Sequence, residues 1–159
     1  MISAVDLLKG IGKFSGMNVV DVQGATGYID TNFDGKAQAC INELKNGQDF
    51  VYIHVEAPDE CGHRNEMENK ISAIELIDKK VLGPVLDALE QYDDYKIMIL
   101  PDHPTPICKR THTMDAVPFF IYSSEADKVG CDTFDEFTTE KMNYYVENGY
   151  TLMDILIQK

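Results

Sequence analysis

Aspartate and histidine residues recur in two short stretches of the chain, and together they could bind a metal ion. In EAPDECGHRNE, Asp59 and His63 lie four positions apart. In ILPDHPTPICKRTHT, Asp102 and His103 are adjacent, and His112 follows nine residues after His103. Mixed carboxylate and imidazole ligands favour Zn²⁺ or Mn²⁺ over Ca²⁺, which prefers oxygen ligands throughout.

Each stretch also has an ordinary structural interpretation. An isolated D-x-x-x-H pattern favours a capped helix start or a surface pair, because Asp is a common N-cap. An adjacent Asp-His pair at a strand end is as typical of a turn as of a ligand pair. The occurrence of both patterns, each after an apolar strand, favours a metal site.

Other polar residues near these stretches have simpler explanations. Cys61 is interpreted as a small bystander, with a thiolate ligand as the less favoured alternative, and exposure beside a metal would make it prone to oxidation. His54 lies inside an apolar segment, which is typical of a hydrogen-bonded core histidine. Lys109 and Arg110 could neutralise a substrate anion, although cations in loops are commonly solvated.

Hydrophobic periodicity predicts an alternation of helices and strands. The predicted helices cover residues 2–14, 36–46 and 66–92, the last interrupted at Gly83-Pro84, and residues 151–157 are predicted as a closing helix or a short amphipathic segment. The predicted strands cover residues 17–22, 49–56, 95–101 and 117–123. This order is typical of an α/β fold with a mainly parallel sheet and helices on both faces. Ligands of such sheets gather beyond the carboxyl ends of the strands, where both polar stretches fall.

Composition and charge narrow the class of protein. The 159 residues are 44% hydrophobic, enough for one domain with a core. A formal charge of −13 disfavours nucleic acid and anionic membranes as partners, and an acidic protein that handles a phosphate ester would need bound cations. The four cysteines form no C-x-x-C motif and no segment is long and apolar enough to span a bilayer, so we expect a soluble, cytoplasmic protein with reduced thiols.

Five segments of the sequence resemble the archaeal-type branch of the cofactor-independent phosphoglycerate mutases, within the alkaline phosphatase superfamily. The segments are ISAVDLLKGIG, GATGYIDTNFDGKA, YIHVEAPDECGHRNE, ILPDHPTPICKRTHT and VPFFIY. The resemblance implies an alkaline-phosphatase-like core and a glycolytic isomerase that interconverts 3-phosphoglycerate and 2-phosphoglycerate. It also implies a phosphoserine intermediate and two divalent ions, for which Mn²⁺ is the first expectation and Zn²⁺ or Mg²⁺ the alternatives.

The resemblance assigns ligands residue by residue. It implies that Asp59, His63 and His112 bind one ion. It implies that Asp102 and His103 bind the other.

The sequence also departs from the family's pattern. The family's nucleophilic serine and a further aspartate ligand belong to an N-terminal segment with no counterpart here, and the inserted second domain is absent. None of the chain's serines is a credible replacement. Ser3 and Ser15 lie in the first predicted helix, and Ser72, Ser123 and Ser124 lie outside the two metal stretches.

We therefore expect residues 1–159 to be the C-terminal part of the phosphatase-like domain, inactive alone and able to form a homodimer through an exposed sheet edge. Two alternatives remain open. One is another phosphomutase or phosphatase of the superfamily, and the other is a non-catalytic metal-binding module.

Overall fold

The structure is a computed structural model that describes residues 1–126 and 130–158. Within these ranges, no helix combines the length and the apolar character needed to cross a membrane. The chain divides into two compact units, which are described separately. Unit 1 comprises Met1–Glu90 and Thr105–His112, and unit 2 comprises Gln91–Pro104 and Thr113–Lys159.

Helices make up most of unit 1. In chain order they are α1 (Asp6–Phe14), α2 (Phe33–Lys45), α3 (Ala57–His63), α4 (Met67–Ile77), a π-helix (Asp78–Leu82) and α5 (Gly83–Leu89). Helix α2 packs against the π-helix and α5, and α3 packs against α4. The packed faces bury Phe33, Ala37, Cys40, Val81, Val85 and Leu89.

The predicted helix over residues 66–92 is present, but its first half buries a different face from the predicted one. Ile71 and Ile74 belong to the predicted apolar stripe, yet they are 47% and 53% exposed. Ala73 is fully buried instead, on the helix that packs against α3. The close approach of two packed helices favours a small residue, which agrees with the burial of Ala73 instead of the larger isoleucines.

The predicted interruption at Gly83-Pro84 takes the form of a π-helix followed by a fresh α-helical start. Pro84 lies in the first turn of α5, where a missing N–H is tolerated. A proline inside an α-helix also clashes with the carbonyl of the residue four positions earlier. Here that residue lies in the π-helix, whose turns are wider than those of an α-helix.

The N-terminal residues of unit 1 lie between two extended segments. Ile2 is 1% exposed and forms isolated parallel bridges with Val20 and Ile53. The Ile2 N–H donates to the Tyr52 carbonyl at 2.8 Å, and the His54 N–H donates to the Ile2 carbonyl at 2.9 Å. The segments predicted as strands at 17–22 and 49–56 therefore pair through single bridges and are not regular strands. Because Ile2 belongs to these bridges, α1 begins at Asp6 and not at residue 2.

Unit 2 contains a two-stranded sheet. Strand β1 (Lys96–Ile99) pairs with β2 (Phe120–Ser123) in antiparallel register, with Lys96 opposite Ser123 and Ile99 opposite Phe120. Three short helical segments follow: α6 (Glu136–Lys141), a 3₁₀-helix (Gly149–Thr151) and α7 (Leu152–Ile157), of which α7 contacts β1. The closing helix was predicted. Helix α6 was not, although its N-cap Asp135, which accepts from the Thr138 N–H at 2.8 Å, is a sequence signal for a helix start.

The prediction of a mainly parallel sheet is not confirmed. Among the described residues, parallel pairing is limited to the two bridges of Ile2, and the regular sheet is antiparallel. Parallel neighbours in a sheet are usually joined by a helical crossover. The chain between β1 and β2 contains four prolines and no helix in the described structure, so the α-helical crossover assumed for these strands is absent.

Candidate metal centre

Helix α3 places Asp59 and His63 on one face. Pro58 lies in its first turn, where its fixed φ suits a helix start. Residues four apart on a helix are neighbours, and Asp59 Oδ1 lies 3.4 Å from His63 Nε2. The predicted pairing of these side chains thus arises from local helical geometry.

His112 completes a cluster with these two residues, although it lies 49 positions beyond His63. Its Nε2 is 3.2 Å from Asp59 Oδ1 and 3.1 Å from His63 Nε2. We refer to Asp59, His63 and His112 as the Asp–His–His cluster. Three ligands that share a tetrahedral ion at about 2.0 Å lie about 3.3 Å from one another. The three interatomic distances in the cluster agree with that spacing.

The Asp–His–His cluster also has the chemistry of a cation site. Two imidazole nitrogens and a carboxylate oxygen, all of which can act as lone-pair donors, lie 3.1 to 3.4 Å from one another. Their side chains are 24% (Asp59), 34% (His63) and 51% (His112) exposed, so an ion could reach them from solvent. The donor set therefore fits a divalent ion.

The tautomer of His63 follows from its second ring nitrogen. His63 Nδ1 lies 3.0 Å from the Arg110 carbonyl oxygen. A carbonyl oxygen can only accept, so Nδ1 carries a proton in this contact, and in the neutral form of the ring Nε2 presents its lone pair to Asp59 and His112. Metal-binding histidines are commonly oriented in this way.

Thr105 contacts the cluster, and sequence reasoning missed it. Its hydroxyl donates to Asp59 Oδ1, and the residue is 4% exposed. Lys70 of α4 donates to the Thr105 carbonyl at 2.7 Å, which fixes this segment beside α3. A threonine in a polar loop has no local signal that distinguishes it from a solvated one, so only the fold identifies this contact.

Two further carboxylates surround Asp59. Glu56, the N-cap residue of α3, and Glu60 each place an oxygen atom within 4.8 Å of Asp59 and of each other. These groups increase the negative potential at the start of α3.

The loop before α2, residues 23–32, contains Gly24 and Gly27 and contacts the end of α3. The Tyr28 hydroxyl donates to the Glu66 carboxylate, and Asn69 donates to the same carboxylate at 2.9 Å. These hydrogen bonds lower the pKa of Glu66. The Arg64 guanidinium lies 4.2 Å from the centre of the Tyr28 ring, a cation–π contact. These contacts hold the loop against the end of α3.

The remaining predicted residues are placed as follows. Asp102 and His103 belong to unit 2, where His103 Nε2 lies 3.7 Å from Asp102 Oδ2, and their role at a second ion stays a prediction. Cys61 is fully buried, so its predicted exposure was wrong, and burial raises the pKa of its thiol. His54 Nδ1 lies 3.4 Å from the Ser3 hydroxyl.

Comparison with known proteins identifies the superfamily to which the chain belongs. The sequence matches the metalloenzyme superfamily over residues 1–156, and the chain belongs to that superfamily. The structure of the PH0037 protein from Pyrococcus horikoshii has the same fold, with a TM-score of 0.86 and 31% sequence identity over 98% of this chain and 46% of that chain.

Curated relatives confirm the resemblance drawn from the motifs. The chain is 47% identical over 160 residues to a 2,3-bisphosphoglycerate-independent phosphoglycerate mutase from Methanosarcina acetivorans. It is 48% identical over 158 residues to the enzyme of the same name from Methanothrix thermoacetophila. Each match includes 99% of this chain, and the chain spans about 40% of the length of these relatives.

Proposed function

We propose that this chain is the metal-binding part of a 2,3-bisphosphoglycerate-independent phosphoglycerate mutase, which interconverts 3-phosphoglycerate and 2-phosphoglycerate. The observation that carries the proposal is the convergence of three potential ligand atoms, 3.1 to 3.4 Å apart, in the Asp–His–His cluster. The similarity to mutases over nearly the whole chain supplies the reaction.

The chain's own residues would hold and orient the ion. Asp59 contributes a carboxylate oxygen whose position is set by the Thr105 hydroxyl. His63 contributes Nε2 because its proton is kept on Nδ1 by the Arg110 carbonyl. A divalent ion bound there would supply positive charge to the oxygens of a phosphoryl group during its transfer.

Other parts of the proposal extend beyond the cluster. We propose Asp102 and His103 as ligands of a second ion, with Mn²⁺ the expected metal at both sites. We further propose that residues 1–159 correspond to the C-terminal part of a phosphatase-like domain. In that arrangement the nucleophilic serine and the further strands of an alkaline-phosphatase-like, mainly parallel sheet come from polypeptide that precedes this segment.

Isothermal titration of the metal-free chain with Mn²⁺ and with Zn²⁺ tests the metal site. We expect saturable binding that depends on His112. The substitution His112→Gln should weaken the affinity by about 100-fold or more, since loss of even an outer partner of a metal ligand costs roughly 10–100-fold.

The matched control is His54→Gln, which removes a histidine outside the cluster and should leave the affinity unchanged. Circular dichroism of each variant checks that it folds. Equal affinities of the wild type and His112→Gln would exclude the Asp–His–His cluster as the binding site.

A further inference from the structure

Two non-glycine residues with left-handed backbone conformation flank the Asp–His–His cluster. Asn65 has a φ of 60° and follows His63 by two positions, and Arg110 has a φ of 55° and precedes His112 by two positions. Left-handed conformation is unfavourable for residues that carry a Cβ, so it persists where the surrounding structure holds it.

The backbone of Asn65 ends helix α3. Its N–H donates to the Gly62 carbonyl at 3.2 Å, and the Glu66 N–H donates to the Cys61 carbonyl at 2.9 Å. This pair of hydrogen bonds is the Schellman motif, in which glycine is the usual left-handed residue. Glycine would perform this backbone role with less strain, so the asparagine side chain requires a separate explanation.

The side chain of Asn65 reaches the turn that precedes His112. The amide orientation that satisfies both of its partners places Nδ2 at 3.3 Å from the Ile107 carbonyl, to which it donates. In the same orientation, Oδ1 accepts from Arg110 Nη2 at 3.1 Å. Asn65 therefore links the end of α3 to both the backbone and a side chain of this turn.

Arg110 closes that turn and returns a contact to α3. Its N–H donates to the Pro106 carbonyl at 2.9 Å, and its left-handed conformation directs its own carbonyl to His63 Nδ1 at 3.0 Å. The turn before His112 is thus linked to the end of α3 by two sets of hydrogen bonds. The Asn65 side chain bonds to the turn, and the Arg110 carbonyl of the turn accepts from His63 Nδ1.

We propose that Asn65 and Arg110 are positioning residues that keep the His63 proton on Nδ1 and hold the two imidazoles in binding geometry before any ion arrives. This inference rests on the metal-binding part of the proposed function. A small loss of the Asn65 contacts would move the Arg110 carbonyl and release His63 to the alternative tautomer, in which Nε2 is protonated and cannot bind a metal.

Substitution by glycine separates the side chain of each residue from its backbone conformation. Asn65→Gly keeps the left-handed conformation at lower strain and removes the side-chain contacts. Arg110→Gly does the same at the partner position and removes the guanidinium that donates to Asn65. Asn143→Gly is the matched control, because Asn143 is also left-handed, with a φ of 51°, but follows α6 in unit 2.

Two measurements read out the effect. Long-range ¹⁵N–¹H NMR spectra of the metal-free chain, at a pH where the rings are neutral, report the tautomer of His63. We expect the Nδ1–H form in the wild type and in Asn143→Gly, and a mixture of tautomers in Asn65→Gly. Titration with Zn²⁺ should show an affinity about 10-fold weaker in Asn65→Gly, the lower end of the range for outer partners.

A double-mutant cycle tests whether the two residues act together. If they do, Asn65→Gly combined with Arg110→Gly should cost no more affinity than either alone. A wild-type tautomer together with wild-type affinity in both single variants would overturn the inference. The tautomer reports on the inference even if the wild type binds no metal, in which case the metal proposal fails separately.

Discussion

Lys36 carries an amine into the interior of unit 1. It is fully buried in the first turn of α2, and its Nζ donates to the His54 carbonyl at 2.8 Å. Burial lowers the pKa of this amine from 10.5 to about 8, although the negative charge of Glu56 opposes the change. Its hydrogen bond fixes the chain just before α3 begins.

The lowered pKa predicts a dependence of stability on pH. Between pH 8 and about 10 the unfolded chain binds a proton at residue 36 that the folded chain does not. The contribution of Lys36 to the free energy of unfolding therefore increases as the pH rises. Relative to Lys36→Met, the wild type should gain about 3 kcal/mol in total across this window. Urea denaturation at several pH values measures the difference.

The pH dependence of stability has to be measured relative to a variant, because Cys40 changes stability in the opposite direction to Lys36. Burial raises the pKa of its thiol to about 11, so the folded chain keeps a proton that the unfolded chain loses, and stability falls as the pH rises above 9. This contribution cancels in the difference between wild type and Lys36→Met. The substitution Lys13→Met, at an exposed position, is the control. A pH-independent difference for Lys36→Met would contradict the prediction.

At the scale of elements, the close approach of α3 to the Thr105 segment determines the position of Asp59. A Cβ on Gly62 would lie 2.5 Å from the Thr105 carbonyl oxygen and 2.9 Å from the Thr105 methyl group. Glycine is therefore required at this position by space and not by a left-handed conformation. Because Thr105 donates to Asp59, displacement of the segment would also disturb the cluster.

We expect Gly62→Ala to destabilise the chain by about 1–3 kcal/mol, the usual cost of overpacking. It should also weaken Zn²⁺ binding, since Thr105 would move away from Asp59. Gly10→Ala provides the contrast: a Cβ there meets nothing within 4 Å, and α1 should gain up to about 1 kcal/mol. Chemical denaturation of both variants is the measurement, and equal effects would refute the steric explanation.

At the scale of the whole molecule, the length and the charge of the chain are the features that bear on whether it can turn over phosphoglycerate alone. It spans about 40% of the length of the mutases that it resembles. Its formal charge of −13 would repel an anionic phosphoglycerate unless bound cations offset the charge. Ser3, a serine of unit 1, contacts His54 and accepts from the Val5 N–H at 3.0 Å, which are local structural contacts.

We expect the chain alone to show no turnover of 3-phosphoglycerate above background, because the proposed nucleophile lies in other polypeptide. A coupled assay with Mn²⁺ present measures this, with the full-length Methanosarcina acetivorans mutase as the positive control. Turnover close to that of the control would show that the chain carries its own nucleophile. Hydrolysis of many phosphomonoesters would instead favour a phosphatase.

The helices of this protein could be predicted better than its strands. An amphipathic helix forms its hydrogen bonds within one segment, so periodicity located α2, α5 and α7 to within a few residues. A strand needs a neighbour, and the apolar segments at 17–22 and 49–56 find only the short N-terminal segment around Ile2 within the described chain. Apolar runs alone did not indicate that β1 and β2 pair antiparallel.

The same distinction holds at the candidate metal centre. From the sequence, Asp59 and His63 were expected to bind one ion from a loop or a first helical turn, and the structure shows that helix α3 places both on one face. The sequence also supplied His112 through resemblance. Only the tertiary structure decided that His112 Nε2 lies 3.1 Å from His63 Nε2, that Thr105 donates to Asp59 and that the Arg110 carbonyl accepts from His63. Those contacts join residues more than forty positions apart, and their geometry depends on the path of the whole chain between them.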